Sequence, residues 1–125
     1  MHESAASAFD PNAVVPPFDP GPVLAIATLE IRPAELQVFA HGVRVGFTVR
    51  EFQTFFALAQ RQDRVVTRQE LYGLVWGGEM PRRDRSVDVF VRKVRRKLSD
   101  VSPGWTYIHT HFGIGYRFTP EPSVG

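Results

Sequence analysis

Residues 85–98 follow a pattern that only a helix buried along one side can satisfy. On a helical wheel at about 100° per residue, one set of aliphatic side chains falls within about 40° of a single direction. This set consists of Val87, Val91, Val94 and Leu98. The other directions hold mainly basic residues, which are Arg85, Arg92, Lys93, Arg95, Arg96 and Lys97, with Val89 among them. The pattern predicts a helix whose apolar stripe packs on a core and whose opposite face is cationic.

Positive charge is concentrated around this predicted helix. Residues 82–97 hold eight basic and two acidic residues, a net charge of +6 in a chain whose net charge is +2. Charge of one sign confined to one segment is typical of surfaces that bind polyanions. A helix face that is merely solvated usually mixes both signs in salt bridges, whereas Asp88 is the only acid between Arg85 and Leu98. Because a helix fits the DNA major groove and arginine can bond guanine O6 and N7, the segment favours DNA binding.

Four short segments before residue 48 favour β-strands, because they are rich in aliphatic residues and separated by turn signals. They are residues 24–28, 29–32, 36–40 and 43–47. Strands of this length with such short connections are typical of an antiparallel meander.

The period of the apolar residues then changes to that of helices. Thr48 and Glu51 form a capping-box sequence before Phe52, Phe55, Phe56 and Ala59, which predicts a helix over about residues 49–61 with a buried aromatic face. Thr67 and Glu70 repeat the device before a shorter helix that ends at paired glycines. After the third helix, residues 106–110 and 115–118 are predicted strands around a tight tip. The fold class predicted is α+β.

The boundaries of the domain follow from composition. Five of the ten prolines lie in the first 22 residues, so residues 1–21 are predicted to be a flexible arm, residues 22–119 the domain and residues 120–125 a tail. No apolar segment is long enough to span a bilayer and no signal peptide is recognisable, so we expect a cytoplasmic protein. The chain has no cysteine, which excludes disulfides and thiolate chemistry.

Five segments together resemble one known family. They are Phe47-Thr48-x-x-Glu51-Phe52, Val66-Thr67-Arg68-x-x-Leu71, Val75-Trp76-Gly77, the stretch from Arg85 to Leu98, and Thr110-x-x-Gly113-x-Gly115-Tyr116-Arg117-Phe118. In these segments the chain resembles the winged-helix effector domain of OmpR/PhoB-type response regulators of two-component systems. The resemblance implies a winged helix-turn-helix with an amino-terminal four-stranded antiparallel sheet, three helices and a carboxy-terminal β-hairpin wing.

The resemblance also implies a function, which is sequence-specific binding of double-stranded DNA in transcription regulation. The third helix is expected in the major groove and the wing at the adjacent minor groove. Phosphate-side roles are implied for Arg68, Trp76, Arg85, Ser86, Arg92, Arg95, Thr110 and Tyr116. Base-edge roles are implied for Val89, Phe90, Lys93 and Arg96, and the wing tip adds His111 and Phe112 to the expected DNA-binding residues. The loop from Gly77 to Asp84 is expected to contact RNA polymerase, and a dimer on tandem DNA sites is the expected assembly.

Three features depart from the family pattern. Phe112 stands in the wing where many relatives have arginine, and Phe90 stands where close relatives often have a polar residue. The 21 residues before the sheet are too few for a receiver domain, so we expect either an isolated output domain or a stand-alone DNA-binding protein. The alternative function is a protein-interaction module that docks RNA polymerase or another regulator, because two aromatic residues at the nominal DNA face can equally contact a protein.

No other group of residues in the sequence indicates a metal site, a phosphate-binding loop or a catalytic site. His109 and His111 lie two residues apart without a third ligand nearby, which is a weak metal signal. Gly113 and Gly115 precede no helix and so do not form a phosphate-binding loop. No Ser/His/Asp set and no pair of carboxylates stands in a recognisable catalytic motif. We therefore expect neither an enzyme nor a cofactor or metal.

Overall fold

The computed structural model describes residues 21–123, so the predicted arm lies outside the described residues apart from Gly21. The amino-terminal sheet contains β1 (Leu24–Ile26), β2 (Leu29–Arg32), β3 (Gln37–Ala40) and β4 (Val43–Val45) in that order. Each neighbouring pair is antiparallel, which confirms the predicted meander. β1 ends two residues earlier than predicted and β3 begins one residue later, because Ala27 and Leu36 have φ of 54° and 56°, which a strand cannot accommodate.

The first two helices begin at the predicted capping residues. Helix α1 (Val49–Ala59) has a complete capping box: Thr48 Oγ1 accepts from the Glu51 N–H at 3.2 Å, and Glu51 Oε1 accepts from the Thr48 N–H at 2.8 Å. Helix α2 (Arg68–Val75) begins after Thr67, whose Oγ1 accepts from the Glu70 N–H at 3.1 Å. These bonds satisfy amide groups that the first turn of a helix leaves unpaired.

Helix α3 (Ser86–Val101) is three residues longer than predicted at its carboxyl end. It continues past Leu98 because Ser99, Asp100 and Val101 contain no helix breaker before Pro103 and Gly104. Asp84 Oδ1 accepts from the Ser86 N–H at 2.7 Å and so caps the first turn. The four stripe residues are buried, as predicted: Val87, Val91, Val94 and Leu98. The opposite face of α3 is therefore the face directed to solvent.

A second sheet joins the wing to the region between the helices. It consists of β5 (Val65–Thr67), β7 (Gly115–Pro122) and β6 (Trp105–His111), in that spatial order and with antiparallel pairs. The sequence patterns did not predict β5. β7 is also longer than predicted, so residues 120–122, which were assigned to the tail, belong to the wing: Glu121 pairs with Thr106 and Pro122 with Trp105. A register shift beside Tyr107 accommodates Pro120, which has no N–H to donate to the ladder.

The core lies between α1, α3 and the two sheets. Phe52, Phe55 and Phe56 are buried, which confirms the predicted aromatic face of α1. The Phe55 ring meets the Phe118 ring of β7 edge to face, with the centroids 5.6 Å apart. The predicted fold class is confirmed: an α+β winged helix-turn-helix with three helices and a carboxy-terminal hairpin. Within residues 21–123, no helix is long and apolar enough to cross a membrane.

Candidate nucleic-acid interface

The solvent-directed face of α3 and the loop before it carry five exposed arginines. They are Arg82, Arg83, Arg85, Arg92 and Arg96. None of their guanidinium groups forms a hydrogen bond or an ion pair with another residue in the described range 21–123. Exposed guanidinium groups that form no hydrogen bond keep all their donors for a ligand, although the charge of Arg85 also acts on Asp88. We call these five residues the free arginine group.

Lys97 belongs to the same basic segment but has a structural role. Its Nζ lies 2.6 Å from Glu51 Oε1 and donates to the Gly46 carbonyl at 2.9 Å. Glu51 is 4% exposed. Burial raises the pKa of Glu51, but hydrogen bonds from Lys97 and Thr48 and the charge of Lys97 outweigh it, so the pKa lies below its usual value. Lys97 therefore stabilises the junction between α1 and α3.

Arg95 connects α3 to the wing. Its Nε and Nη2 donate to the Ile108 carbonyl at 3.2 and 3.0 Å, and Nη2 donates to Thr110 Oγ1 at 2.6 Å. The guanidinium is half-buried, and this burial lowers the pKa of Arg95 below its usual value. Arg95 and Thr110, both expected at phosphates, are thus bonded to each other.

One carboxylate joins α2, α3 and the wing. Asp88 Oδ1, in the first turn of α3, accepts from Arg68 Nε at 2.8 Å and from the hydroxyl of Tyr116. The guanidinium carbons of Arg68 and Arg95 lie 5.4 and 5.5 Å from the centroid of the Tyr116 ring. Two cations therefore contact the face of the same aromatic ring, which attracts them through its quadrupole. We call Asp88, Arg68, Tyr116 and Arg95 the wing hub.

The ionisation of the wing hub follows from these contacts. Burial raises the pKa of Asp88, but hydrogen bonds from Tyr116 and Arg68 and the charges of Arg68 and Arg85 outweigh it and lower the pKa below its usual value. Burial and the bond to Asp88 raise the pKa of Tyr116. The bond to Asp88 also raises the pKa of Arg68. The hub therefore holds a carboxylate between charged arginines at neutral pH.

Three aromatic residues link α2 to the exposed face of α3. The rings of Tyr72 and Trp76 are stacked with centroids 5.3 Å apart, and Phe90 meets Trp76 edge to face at 5.4 Å. The Arg50 guanidinium lies 5.3 Å from the Trp76 ring centroid, and Lys93 Nζ lies 4.8 Å from that of Phe90. Trp76, Phe90 and Lys93, all expected at DNA, are thereby brought together.

The wing tip exposes apolar side chains. Phe112 is 91% exposed and Ile114 56% exposed, on either side of Gly113, whose φ of +77° closes the turn. His111 Nε2 accepts a hydrogen bond from Arg117 Nε at 3.1 Å. Phe112 is the most exposed of the large apolar residues described.

Sequence patterns alone missed three participants of this surface, which are Asp88, Arg50 and Tyr72. The spacing of four residues between Tyr72 and Trp76 is the signal that could have indicated the first stacked pair. Within residues 21–123, no group of three His, Asp or Glu residues is placed to hold a metal ion. His109 Nε2 instead lies 2.8 Å from the Thr119 carbonyl oxygen.

Comparison with known proteins now identifies the family. The family described as "Transcriptional regulatory protein, C terminal" matches residues 42–118, which is more than half of the chain. The chain belongs to this family. Its members are the OmpR/PhoB-type DNA-binding domains of transcriptional regulators, and the resemblance seen in the sequence is thereby confirmed.

Two curated relatives show how much of a regulator this OmpR/PhoB-type domain spans. The DNA-binding response regulator MtrA of Mycobacterium tuberculosis is 33% identical over 102 residues, covering 82% of this chain and 45% of MtrA. The transcriptional regulatory protein ResD of Bacillus subtilis is 36% identical over 97 residues, covering 77% of this chain and 40% of ResD. The chain spans less than half the length of these relatives.

Solved structures of OmpR/PhoB-type domains have the same fold. The RstA DNA-binding domain of Klebsiella pneumoniae, solved in complex with the RstA box, has a TM-score of 0.71 and 28% identity, covering 79% of this chain and 98% of RstA's. The DNA-binding domain of Escherichia coli CpxR has a TM-score of 0.71 and 29% identity, covering 79% of this chain and 97% of CpxR's.

Proposed function

We propose that this chain binds double-stranded DNA sequence-specifically and regulates transcription, with α3 in the major groove and the wing at the adjacent minor groove. The observation that carries the proposal is the free arginine group. Its members Arg85, Arg92 and Arg96 lie on the face of α3 opposite the buried stripe. The RstA domain, which has the same fold, was solved with its DNA box.

The exposed residues of α3 suit two kinds of contact with DNA. Arg85 and Arg92 are assigned to phosphates, which position a protein on the duplex without reading sequence. Val89, Phe90, Lys93 and Arg96 are assigned to base edges, which carry the sequence information. Ser86 and Trp76 complete the phosphate-side residues at the start of α3 and the end of α2.

The wing hub supports a second line of phosphate contacts. Arg68 uses its Nε for Asp88, and its guanidinium also has the Tyr116 side chain as a partner. Tyr116 and Thr110 both contact Arg95, which is the other arginine of the hub. In our proposal the hub holds the wing at a fixed angle to α3 while the Nη groups of Arg68 bind a phosphate.

Salt dependence tests the proposal directly. Because each neutralised phosphate contributes about −0.9 to the slope of log K against log salt, the roughly four to six phosphates that the basic face can neutralise predict a slope of about −4 to −5. Arg92→Ala should weaken binding to all sequences equally and make the slope less negative by about 1. Arg44→Ala is the matched control, since Arg44 is an exposed arginine on β4, and it should change neither quantity. A slope near −1 for the unmodified protein contradicts DNA binding.

The exposed wing tip favours one alternative, a module that docks RNA polymerase or another regulator with DNA binding weak or lost. Phe112 offers a large apolar side chain, and residues 77–79 and 81–83 of the loop before α3 are exposed. Tighter binding to RNA polymerase or to acidic proteins than to duplex DNA supports this alternative. A loop variant, Arg83→Ala, that reduces transcription but not DNA binding places polymerase contact in the loop instead.

Assembly on DNA is a separate part of the proposal. We assign the chain to a dimer on tandem DNA sites, with one copy on each half-site. Sedimentation of the protein with duplexes that carry one or two copies of its selected site measures the stoichiometry. Two copies bound with no gain in affinity from the second half-site contradict a dimer.

A further inference from the structure

Phe90 occupies a position in α3 from which an apolar side chain can reach a base pair. It is the fifth residue of the helix, and residues near the start of a recognition helix are those that contact base edges. On the wheel it lies about 60° from the buried stripe, which agrees with its half-buried state. Its neighbour Val89 is 41% exposed. Two neighbouring apolar residues, one exposed and one half-buried, therefore lie near the start of α3.

Contacts on two sides hold the Phe90 ring in place. Trp76 meets it edge to face at 5.4 Å, and Trp76 is itself stacked on Tyr72 and covered by Arg50. Lys93 Nζ lies 4.8 Å from the Phe90 centroid. A ring held by its neighbours loses little conformational entropy on binding.

The chemistry of the phenyl ring limits which base pair it can favour. In the major groove the base edges present hydrogen-bond donors and acceptors, and the 5-methyl group of thymine is the apolar exception. A phenyl ring has no polar atom, so it leaves a covered donor or acceptor unpaired, at a cost in free energy. Contact with a methyl group carries no such cost and gains burial of apolar surface.

We infer that Phe90 reads the 5-methyl group of a thymine in the major groove. This inference rests on the proposed function and names the chemical group that one of its base-edge residues recognises. Lys93 lies against the same ring, and base pairs are about 3.4 Å apart along the helix axis. Lys93 is therefore placed to contact a guanine in a neighbouring base pair, through the O6 and N7 acceptors.

The experiment begins with a site selected from random duplex DNA. Each thymine of that site is then replaced singly by deoxyuridine, which removes only the methyl group. One position should bind the unmodified protein about fourfold more weakly, which corresponds to one buried methyl group. A cytosine at that position should weaken binding, and 5-methylcytosine should recover part of the loss.

Variants of the protein assign the effect to Phe90. Phe90→Ala should bind the thymine and deoxyuridine duplexes equally. Phe90→His should do so as well while retaining a planar ring against Trp76, which keeps the test valid if the alanine variant folds poorly. Val43→Ala, at an exposed apolar residue of β4, is the matched control and should keep the methyl dependence at that position. Lys93→Ala should relax the preference for guanine at a neighbouring base pair.

Two results overturn the inference. They are a selected site with no position that is sensitive to deoxyuridine, and methyl dependence that persists in both Phe90 variants. Failure of the proposed function is distinct, because the selection then returns no preferred sequence at all.

Discussion

The hydroxyl of Tyr116 in the wing donates a hydrogen bond to Asp88 Oδ1 in the first turn of α3. The same oxygen accepts from Arg68 Nε of α2 at 2.8 Å. Three elements that are distant in sequence therefore meet at one carboxylate. Since the wing and α3 are expected to contact neighbouring grooves, this carboxylate links the two parts that are proposed to contact DNA.

Asp88→Asn should lower the free energy of unfolding at pH 7 by about 1–3 kcal/mol, because the hydrogen bond from Arg68 loses its charged acceptor. The pKa of Asp88 is lower in the folded protein than its ordinary value. Its stabilisation is therefore complete above the unfolded-state pKa of about 3.9 and is lost as the pH falls through the folded-state pKa. Urea unfolding at pH 7 and at about pH 3 should show a smaller difference for the variant than for the unmodified protein.

Asp100→Asn is the control for this prediction, since Asp100 is an exposed acid in the last turns of the same helix. It should leave the free energy of unfolding at pH 7 unchanged. Equal effects of the two variants mean that Asp88 is an ordinary surface acid, contrary to the prediction.

Gly115→Ala should destabilise the protein by about 3 kcal/mol, at the upper end of the cost of overpacking. An ideal Cβ at Gly115 would lie 2.0 Å from the Val66 carbonyl oxygen and 2.8 Å from Thr67 Cα, so β5 and β7 must separate to admit it. Gly104→Ala is the matched control, because a Cβ at Gly104 meets nothing within 4 Å. Denaturant unfolding of both variants measures the difference, and similar midpoints for the two contradict the close approach.

Lys97 and Arg96 are neighbours on α3, but their removal should affect different properties, which are stability for Lys97 and DNA binding for Arg96. Lys97→Met should cost about 1–3 kcal/mol of stability because it leaves the buried Glu51 carboxylate without its cation. For Lys97→Met, the slope of log K against log salt for DNA binding should equal that of the unmodified protein. Arg96→Ala should alter stability by less than about 0.5 kcal/mol and should weaken DNA binding. Thermal unfolding and a salt titration of DNA binding on the same samples test both variants. The assignment of roles is wrong if Lys97→Met weakens DNA binding without loss of stability and Arg96→Ala lowers stability instead.

Phe112 at the wing tip should contribute little to site preference. It has no charge with which to exploit the negative potential of a narrow A·T-rich minor groove, although it can press against sugars or a base step. Phe112→Ala should keep the preferred major-groove sequence with at most a modest, uniform loss of affinity. Phe112→Arg should raise affinity and create a preference for A·T pairs beside the core site. Binding to a panel of flanking sequences at fixed salt measures both.

The opposite result for Phe112→Ala, a loss of all site preference, makes the wing the main reader of sequence. It also weakens the assignment of specificity to α3. Ile114→Ala is a matched variant at the same tip and should behave as Phe112→Ala does.

Local patterns in the sequence predicted most of the fold. The capping box at Thr48, the side-chain cap at Thr67 and the stripe from Val87 to Leu98 each depend on residues close in sequence, so spacing alone reveals them. The predicted second capping box is incomplete, because the Glu70 carboxylate pairs with Arg64 instead. β5 was missed because three residues, Val65–Thr67, form a strand only through pairing with β7, about fifty positions later. A partner that distant leaves no periodicity in the strand itself.

The sequence predicted which residues lie on the surface of the site, but not which residues they contact. The helical wheel placed Arg95 and Lys97 at the edges of the cationic face, yet it could not show that one bonds to the Ile108 carbonyl and the other to Glu51. Those bonds depend on where the wing and α1 pack against α3, which is a tertiary property. The DNA-binding roles themselves stay predictions until binding is measured.

The basic residues of α3 fall into two groups, those with no internal bonds and those that hold the helix to its neighbours, and this affects how such a domain can change over generations. Substitutions at Arg92 or Arg96 break no bond within the described part of the chain, whereas Lys97 and Arg95 keep the helix attached to α1 and the wing. After gene duplication, one copy can therefore change its affinity for DNA at Arg92 and its sequence preference at Arg96 by single substitutions. We expect each such variant to keep the packing of the domain.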